Sequence, residues 1–144
     1  MKIKIQKINN DAVVAHYVHK GDAGMDLYSV EEVILAAGER KLIGTGLKFE
    51  IPMGFELQVR PKSGLAANFG VTVLNTPGTV DSGYRGEVKV ILYNSSKNEY
   101  QVKKGEKIAQ AVIAKYEEAE IEEVAELSET SRGDGGFGST GLKK

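Results

Sequence analysis

Apolar and polar residues alternate one by one through several short runs of this chain, and turn formers cut each run off. A period of two sends successive side chains to opposite faces of a strand, and no helix shares it. Gly54-Phe55-Glu56-Leu57-Gln58-Val59-Arg60 sets Phe55, Leu57 and Val59 on one face. Glu87-Val88-Lys89-Val90-Ile91-Leu92-Tyr93 turns Val88, Val90 and Leu92 inward, and Lys2-Ile3-Lys4-Ile5 alternates likewise. Val71 to Leu74 and Ala109 to Ile113 are shorter strand candidates. Between them stand Gly21-Asp22, Ala37-Gly38, Pro52-Met53-Gly54, Pro77-Gly78, Ser82-Gly83 and Lys104-Gly105. Strands spaced about ten residues apart predict an all-β sandwich, barrel or jelly roll. One or two helical turns are expected near Leu65-Ala66-Ala67-Asn68.

The chain has 144 residues, about one domain, and 41% of them are hydrophobic, enough for a core. It holds no cysteine, which excludes disulfide scaffolds and thiolate metal sites and fits a cytoplasmic protein. No apolar run of about 18 residues is present, so no membrane span is expected. Met1 to Gln6 lacks the apolar stretch of a secretory signal. A net charge of −1 argues against a broad electrostatic grip on nucleic acid but leaves room for a small basic pocket.

Glu117 to Glu129 carries seven glutamates and reads equally as a helix, with Ile121, Val124 and Leu127 at spacing three, or as an extended connector. From Ser131 to Gly141, five of eleven residues are glycine and the only large apolar side chain is Phe137. Such a stretch cannot bury enough surface to fold alone. It is expected to be flexible until a ligand or another subunit orders it. Gly136 to Gly141 formally spells G-x-G-x-x-G, but no helix can follow, so a dinucleotide fingerprint is rejected. Arg132-Gly133-Asp134 matches a cell-adhesion tripeptide by coincidence. His16 and His19 lack the cysteines or clustered carboxylates of a transition-metal site.

Two loops offer chemistry. In Arg60-Pro61-Lys62-Ser63-Gly64-Leu65, Ser63-Gly64 opens the short helix, whose exposed N–H groups suit phosphate; equally, Ser63 is a plain N-cap. The loop from Asn75 to Gly86 holds an amide that can donate and accept at once, fit for a nucleobase edge, and a carboxylate, Asp81, fit to hold water. Equally, it is a polar hairpin with ordinary turn residues.

Five segments in this order resemble the trimeric dUTP pyrophosphatases (dUTPases): Ala23 to Tyr28, Arg60 to Ala66, Gly78 to Gly86, Gly105 to Gln110, and Arg132-Gly133 through Gly141. The resemblance covers nearly the whole chain. It implies a distorted all-β jelly roll with one short helix, a core over 1–126 and a flexible C-terminal arm over 127–144. It further implies a homotrimer whose sites draw on three subunits, and Mg²⁺-dependent hydrolysis of dUTP to dUMP and pyrophosphate. That reaction limits uracil in DNA and supplies dUMP for dTMP synthesis.

By resemblance, Lys62, Ser63, Gly64 and Gln110 contact the phosphates, and Asn75, Thr79 and Val80 hold the deoxyuridine. Tyr84 packs on the deoxyribose and excludes a 2′-hydroxyl. Asp81 activates water, Lys89 lies beside the pocket, and Asp26 holds the metal through its water ligands. In the arm, Arg132 grips phosphate, Phe137 stacks on uracil, and Gly138, Ser139 and Thr140 close over the γ-phosphate. Arginine is common where this chain has Lys62; lysine loses the fork geometry and is expected to meet one phosphate oxygen or a neighbouring carboxylate. A dCTP deaminase, which shares the fold, is the nearest alternative. It would need a different base pocket and typically lacks such a tail.

Overall fold

The structure is a computed structural model, and it describes residues 1–137, 139 and 141. Eleven strands and one helix are present among them. In chain order these are β1 (Lys4–Lys7), β2 (Gly24–Tyr28), β3 (Val33–Leu35), β4 (Arg40–Gly44), β5 (Leu47–Glu50), β6 (Phe55–Arg60), α1 (Ser63–Phe69), β7 (Val71–Val73), β8 (Gly78–Val80), β9 (Lys89–Asn94), β10 (Tyr100–Val102) and β11 (Lys107–Lys115). The larger sheets run β2-β11-β6-β8 and β4-β9-β7, and β1-β5 and β10-β3 form separate pairs. Every pairing is antiparallel. This is the all-β class that the alternating runs predict, and the jelly roll that the resemblance implies.

Alternation explains which faces close on the core. On β6, Leu57 and Val59 are buried. Between them Glu56, Gln58 and Arg60 form an outward ladder: Gln58 Nε2 donates to Glu56 Oε1 at 2.7 Å, and Arg60 Nε donates to Gln58 Oε1 at 2.9 Å. Val88, Val90 and Leu92 are buried as expected, and meet Leu27, Leu35, Ile43, Phe49 and Ile108 in one cluster. Each such side chain contributes roughly 1.5–3 kcal/mol through burial. The central strand β11 departs from alternation because neighbours cover both its faces: Ile108, Ala109, Ala111 and Val112 are all buried. A bulge between Lys107 and Ala109 shifts its register on β2.

Three expectations are refined. Helix α1 begins as foreseen, but Lys62 occupies the N-cap and no side chain caps it, so Ser63 is the first helical residue rather than the cap. It stops at Gly70, whose φ of 67° lets its N–H return to the Ala66 and Leu65 carbonyls. The segment from Asn75 to Gly78 is no hairpin turn: β7 pairs with β9 and β8 with β6, so the chain crosses between sheets there. Residues 117–129 adopt neither helix nor strand and are exposed throughout. Seven glutamates in thirteen positions repel one another, and Ile121 and Leu127 find no sheet or helix to pack against. Among the described residues, no helix is long and apolar enough to cross a membrane.

Candidate active site

Two clefts gather most of the residues singled out by sequence. The first, of about 540 Å³, is lined by Asn75, Thr79, Val80, Asp81, Tyr84 and Lys89, together with Leu42, Glu87, Val88 and Ile91. Strand β8 delivers Thr79 and Val80 from the edge of its sheet, where they pair with Gln58 and Leu57. Asp81 follows the last ladder pair and is exposed. Leu42 and Ile91 face each other across β4 and β9 and supply an apolar wall. Glu87 is fixed by the Gly46 N–H, which donates to its Oε1 at 2.9 Å, and its Oε2 lies 3.5 Å from Lys89 Nζ. An apolar wall beside an amide, a carboxylate and an ammonium suits a nucleoside.

The second cleft, of about 420 Å³, is lined by Asp26, Lys62, Lys107 and Gln110, with His19, Asp22 and Gly24 among its other walls. Asp26 is buried at its centre, and each carboxylate oxygen is paired: Lys62 Nζ lies 2.5 Å from Oδ1 and Lys107 Nζ 2.8 Å from Oδ2. Burial pushes the Asp26 carboxyl up, but the hydrogen bonds and charges of Lys107 and Lys62 outweigh it and hold the group below the ordinary aspartate range. The same contact raises Lys107 above the usual lysine value. Of the two partners expected for Lys62, the structure has the carboxylate. Gln110 Nε2 donates to the Pro61 carbonyl at 2.9 Å, tying β11 to the loop before α1. Its side chain lies close to Gly24, where a Cβ would overlap Oε1. Ser63 and Gly64 stand next in the chain, at the helix start where N–H groups lack intrahelical partners. Two ammonium groups, an amide and free N–H groups suit an anionic chain of phosphates.

The clefts share no lining residue. Val80 pairs with Leu57, so Asp81 falls alongside Glu56, whereas Lys62 lies beyond the far end of β6. Six residues of extended chain separate those points, about 20 Å at roughly 3.3 Å per residue. Among the described residues of the arm, none lines either cleft. Phe137 is fully exposed, and Arg132 Nε donates to the Gly135 carbonyl at 2.8 Å. Ser139 is also exposed, and Gly138 and Thr140 lie outside the described residues. His16 and His19 are exposed, and the His16 ring stacks 6.5 Å from that of Tyr28.

Sequence reasoning passed over Lys107, Glu87, Leu42 and Ile91. Lys107 lies inside the fourth family-like segment, three residues before Gln110, so it was within reach. Leu42 and Ile91 become neighbours only through the β4–β9 register, which no local pattern encodes.

Comparison with known proteins identifies the family. The dUTPase family model matches residues 10–141. The deoxyuridine 5′-triphosphate nucleotidohydrolase of Nautilia profundicola is 62% identical over 141 residues, covering 98% of this chain and 99% of its own. That of Clostridioides difficile is 58% identical over 140 residues, covering 97% and 98%. Among solved structures, the dUTPase of Staphylococcus bacteriophage 80alpha with dUPNHPP superposes with a TM-score of 0.90 at 27% identity, covering 98% of this chain and 99% of its own. A match over nearly the whole length, to relatives this similar, means that the chain belongs to the dUTPase family.

Proposed function

We propose that this protein hydrolyses dUTP to dUMP and pyrophosphate, as a homotrimer, with Mg²⁺. The observation that carries the reading is the pair of clefts. One is fit for a nucleoside and the other for phosphates, and Asp81 of the first and Lys62 of the second fall by opposite ends of β6. A water-holding carboxylate must lie within hydrogen-bond reach of the water it activates. With about 20 Å of extended chain between Asp81 and Lys62, the two groups that serve one dUTP come, in this reading, from different copies. Cleft one of one subunit facing cleft two of another supplies both, with the arm of a subunit as the closing piece.

In the assembled site, Asn75 reads the uracil edge, Thr79 and Val80 line the nucleoside, and Tyr84 packs on the deoxyribose. Lys89 lies beside the same pocket. Asp81 orients a water and takes its proton as the water oxygen bonds to phosphorus; the anhydride between the α- and β-phosphates breaks, and pyrophosphate leaves. Lys62, Ser63, Gly64 and Gln110 hold the phosphate chain in line. Arg132 pairs with phosphate, Phe137 stacks on uracil, and Gly138, Ser139 and Thr140 cover the γ-phosphate, excluding bulk water. Residues 1–126 serve as the core and 127–144 as the arm. The enzyme works in the cytoplasm, where nucleoside triphosphates and Mg²⁺ occur together.

The residues present fit a metal that arrives with the substrate. Among the described residues no group of three or more His, Cys, Asp or Glu side chains forms a cage. Mg²⁺ ordinarily keeps several waters and binds through one or two carboxylates plus substrate phosphates. Asp26 has both oxygens occupied by ammonium groups, so contact through water suits it better than direct ligation. Bound there, the cation would neutralise charge on the phosphate chain.

The test is pyrophosphate release with Mg²⁺ across dUTP, dTTP, dCTP and UTP. Turnover of dUTP far above the other three is expected. No turnover of dUTP would overturn the reading, and ammonia from dCTP would point to deamination instead.

A further inference from the structure

The orientation of the Tyr84 ring is governed by an atom that is missing two residues along. Gly86 is not among the residues with positive φ, so its backbone would accept an alanine. A Cβ there would lie 2.9 Å from Tyr84 Cε2 and would overlap Cζ and the hydroxyl oxygen outright. The ring therefore rests on the bare face of Gly86. Its hydroxyl donates to the Glu87 carbonyl at 3.1 Å. With the hydroxyl engaged by its own backbone, Tyr84 offers carbon to the cleft it lines, a surface that excludes by shape.

The backbone beneath is braced independently. Arg85 Nη1 donates to the Ser82 carbonyl at 2.7 Å and to the Tyr84 carbonyl at 2.9 Å. The Tyr84 N–H donates to the Asp81 carbonyl at 3.0 Å. The peptide from Asp81 to Arg85 is thus pinned by three hydrogen bonds, whereas the ring is seated mainly by an empty position. A methyl group at 86 would displace the free end of a side chain, not the loop.

We propose that Gly86 is a specificity-determining residue: by lacking a side chain it seats the Tyr84 ring on the wall of the nucleoside cleft and so sets the discrimination against a 2′-hydroxyl. This rests on the reading that Tyr84 faces the deoxyribose. Steric exclusion needs the ring at contact distance, and Gly86→Ala removes it from that distance while keeping every atom of the tyrosine.

The experiment measures kcat/KM for dUTP and for UTP in the full-length protein, in Gly86→Ala, in Tyr84→Ala and in the double variant. The ratio of the two should narrow about tenfold to a hundredfold in Gly86→Ala, the scale on which a pocket senses one misplaced methyl-sized contact. Tyr84→Ala should narrow it at least as far. The double variant should be no narrower than Tyr84→Ala, because with no ring to displace the added methyl has nothing to act on. A wild-type ratio in Gly86→Ala overturns the proposal, and so do additive effects in the double variant. Should Gly86→Ala fail to fold, the double variant, which has the room, should fold; failure of both would mean that Gly86 is needed for another reason. Loss of dUTP preference in the wild type, or an intact preference in Tyr84→Ala, would instead sink the reading of the cleft itself.

Discussion

Asp81 stands one residue past the ladder of β8, exposed, with its backbone carbonyl already taken by the Tyr84 N–H. The loop is therefore fixed while the carboxylate faces solvent, the arrangement a water-activating group requires. Asp81→Asn keeps the size and removes the base. Turnover should fall about 10²–10⁴-fold, the usual share of a general base, while calorimetry should still detect binding of a non-hydrolysable dUTP analogue. Turnover within a few-fold of the wild type would remove Asp81 from this role. Asp81 stood out in the sequence only through the family resemblance, because an amide and a carboxylate are ordinary residues of a turn-rich loop. Lys107 stood inside a family-like segment, but with no role attached to it. Its importance comes from sharing Asp26 with Lys62, a contact that exists only once β2, β11 and the loop before α1 come together.

At the scale of elements, the strands legible in advance were those with a clean period of two and one wet face, such as β6 and β9. The three-residue strands β3, β8 and β10 are too short to show a period by themselves, whereas β7 was legible in the run from Val71 to Leu74. The apparent hairpin at Asn75 misled for a related reason. Turn residues announce a reversal of the chain but do not say which neighbour each flanking strand will pair with, and here β7 and β8 enter different sheets. The glutamate-rich segment was ambiguous because helix propensity is a weak prior when no surface awaits the apolar stripe. Its exposure bears on the arm beyond it. Ordering Ser131 to Gly141 opposes roughly 1–2 kcal/mol of backbone entropy per residue, which contacts with nucleotide must offset. Deleting residues 131–144 should leave the melting temperature nearly unchanged, because the last ladder pair is at Lys115. Turnover should drop by orders of magnitude. Amide hydrogen exchange over 131–141 should slow when a dUTP analogue and Mg²⁺ are added. Equal exchange with and without nucleotide would show that the arm is no ligand-closed lid.

Over the whole molecule, the separation of the clefts along β6 sets the terms. Asp81→Asn protein and protein lacking residues 131–144 should each be nearly inactive. Unfolded and refolded together, they should regain part of the activity, because a mixed trimer can combine an intact carboxylate from one chain with an intact arm from another. Native mass spectrometry would establish that mixed trimers formed. No recovery in their presence would mean that each site lies within one chain. If recovery is seen, a consequence follows for the newly made protein. A lone chain has a nucleoside cleft with no phosphate cleft within reach, so it is chemically silent however well it folds. Activity per molecule then depends on concentration: dilution below the point at which chains part should extinguish it, and synthesis in the cell should switch it on only after copies have found one another.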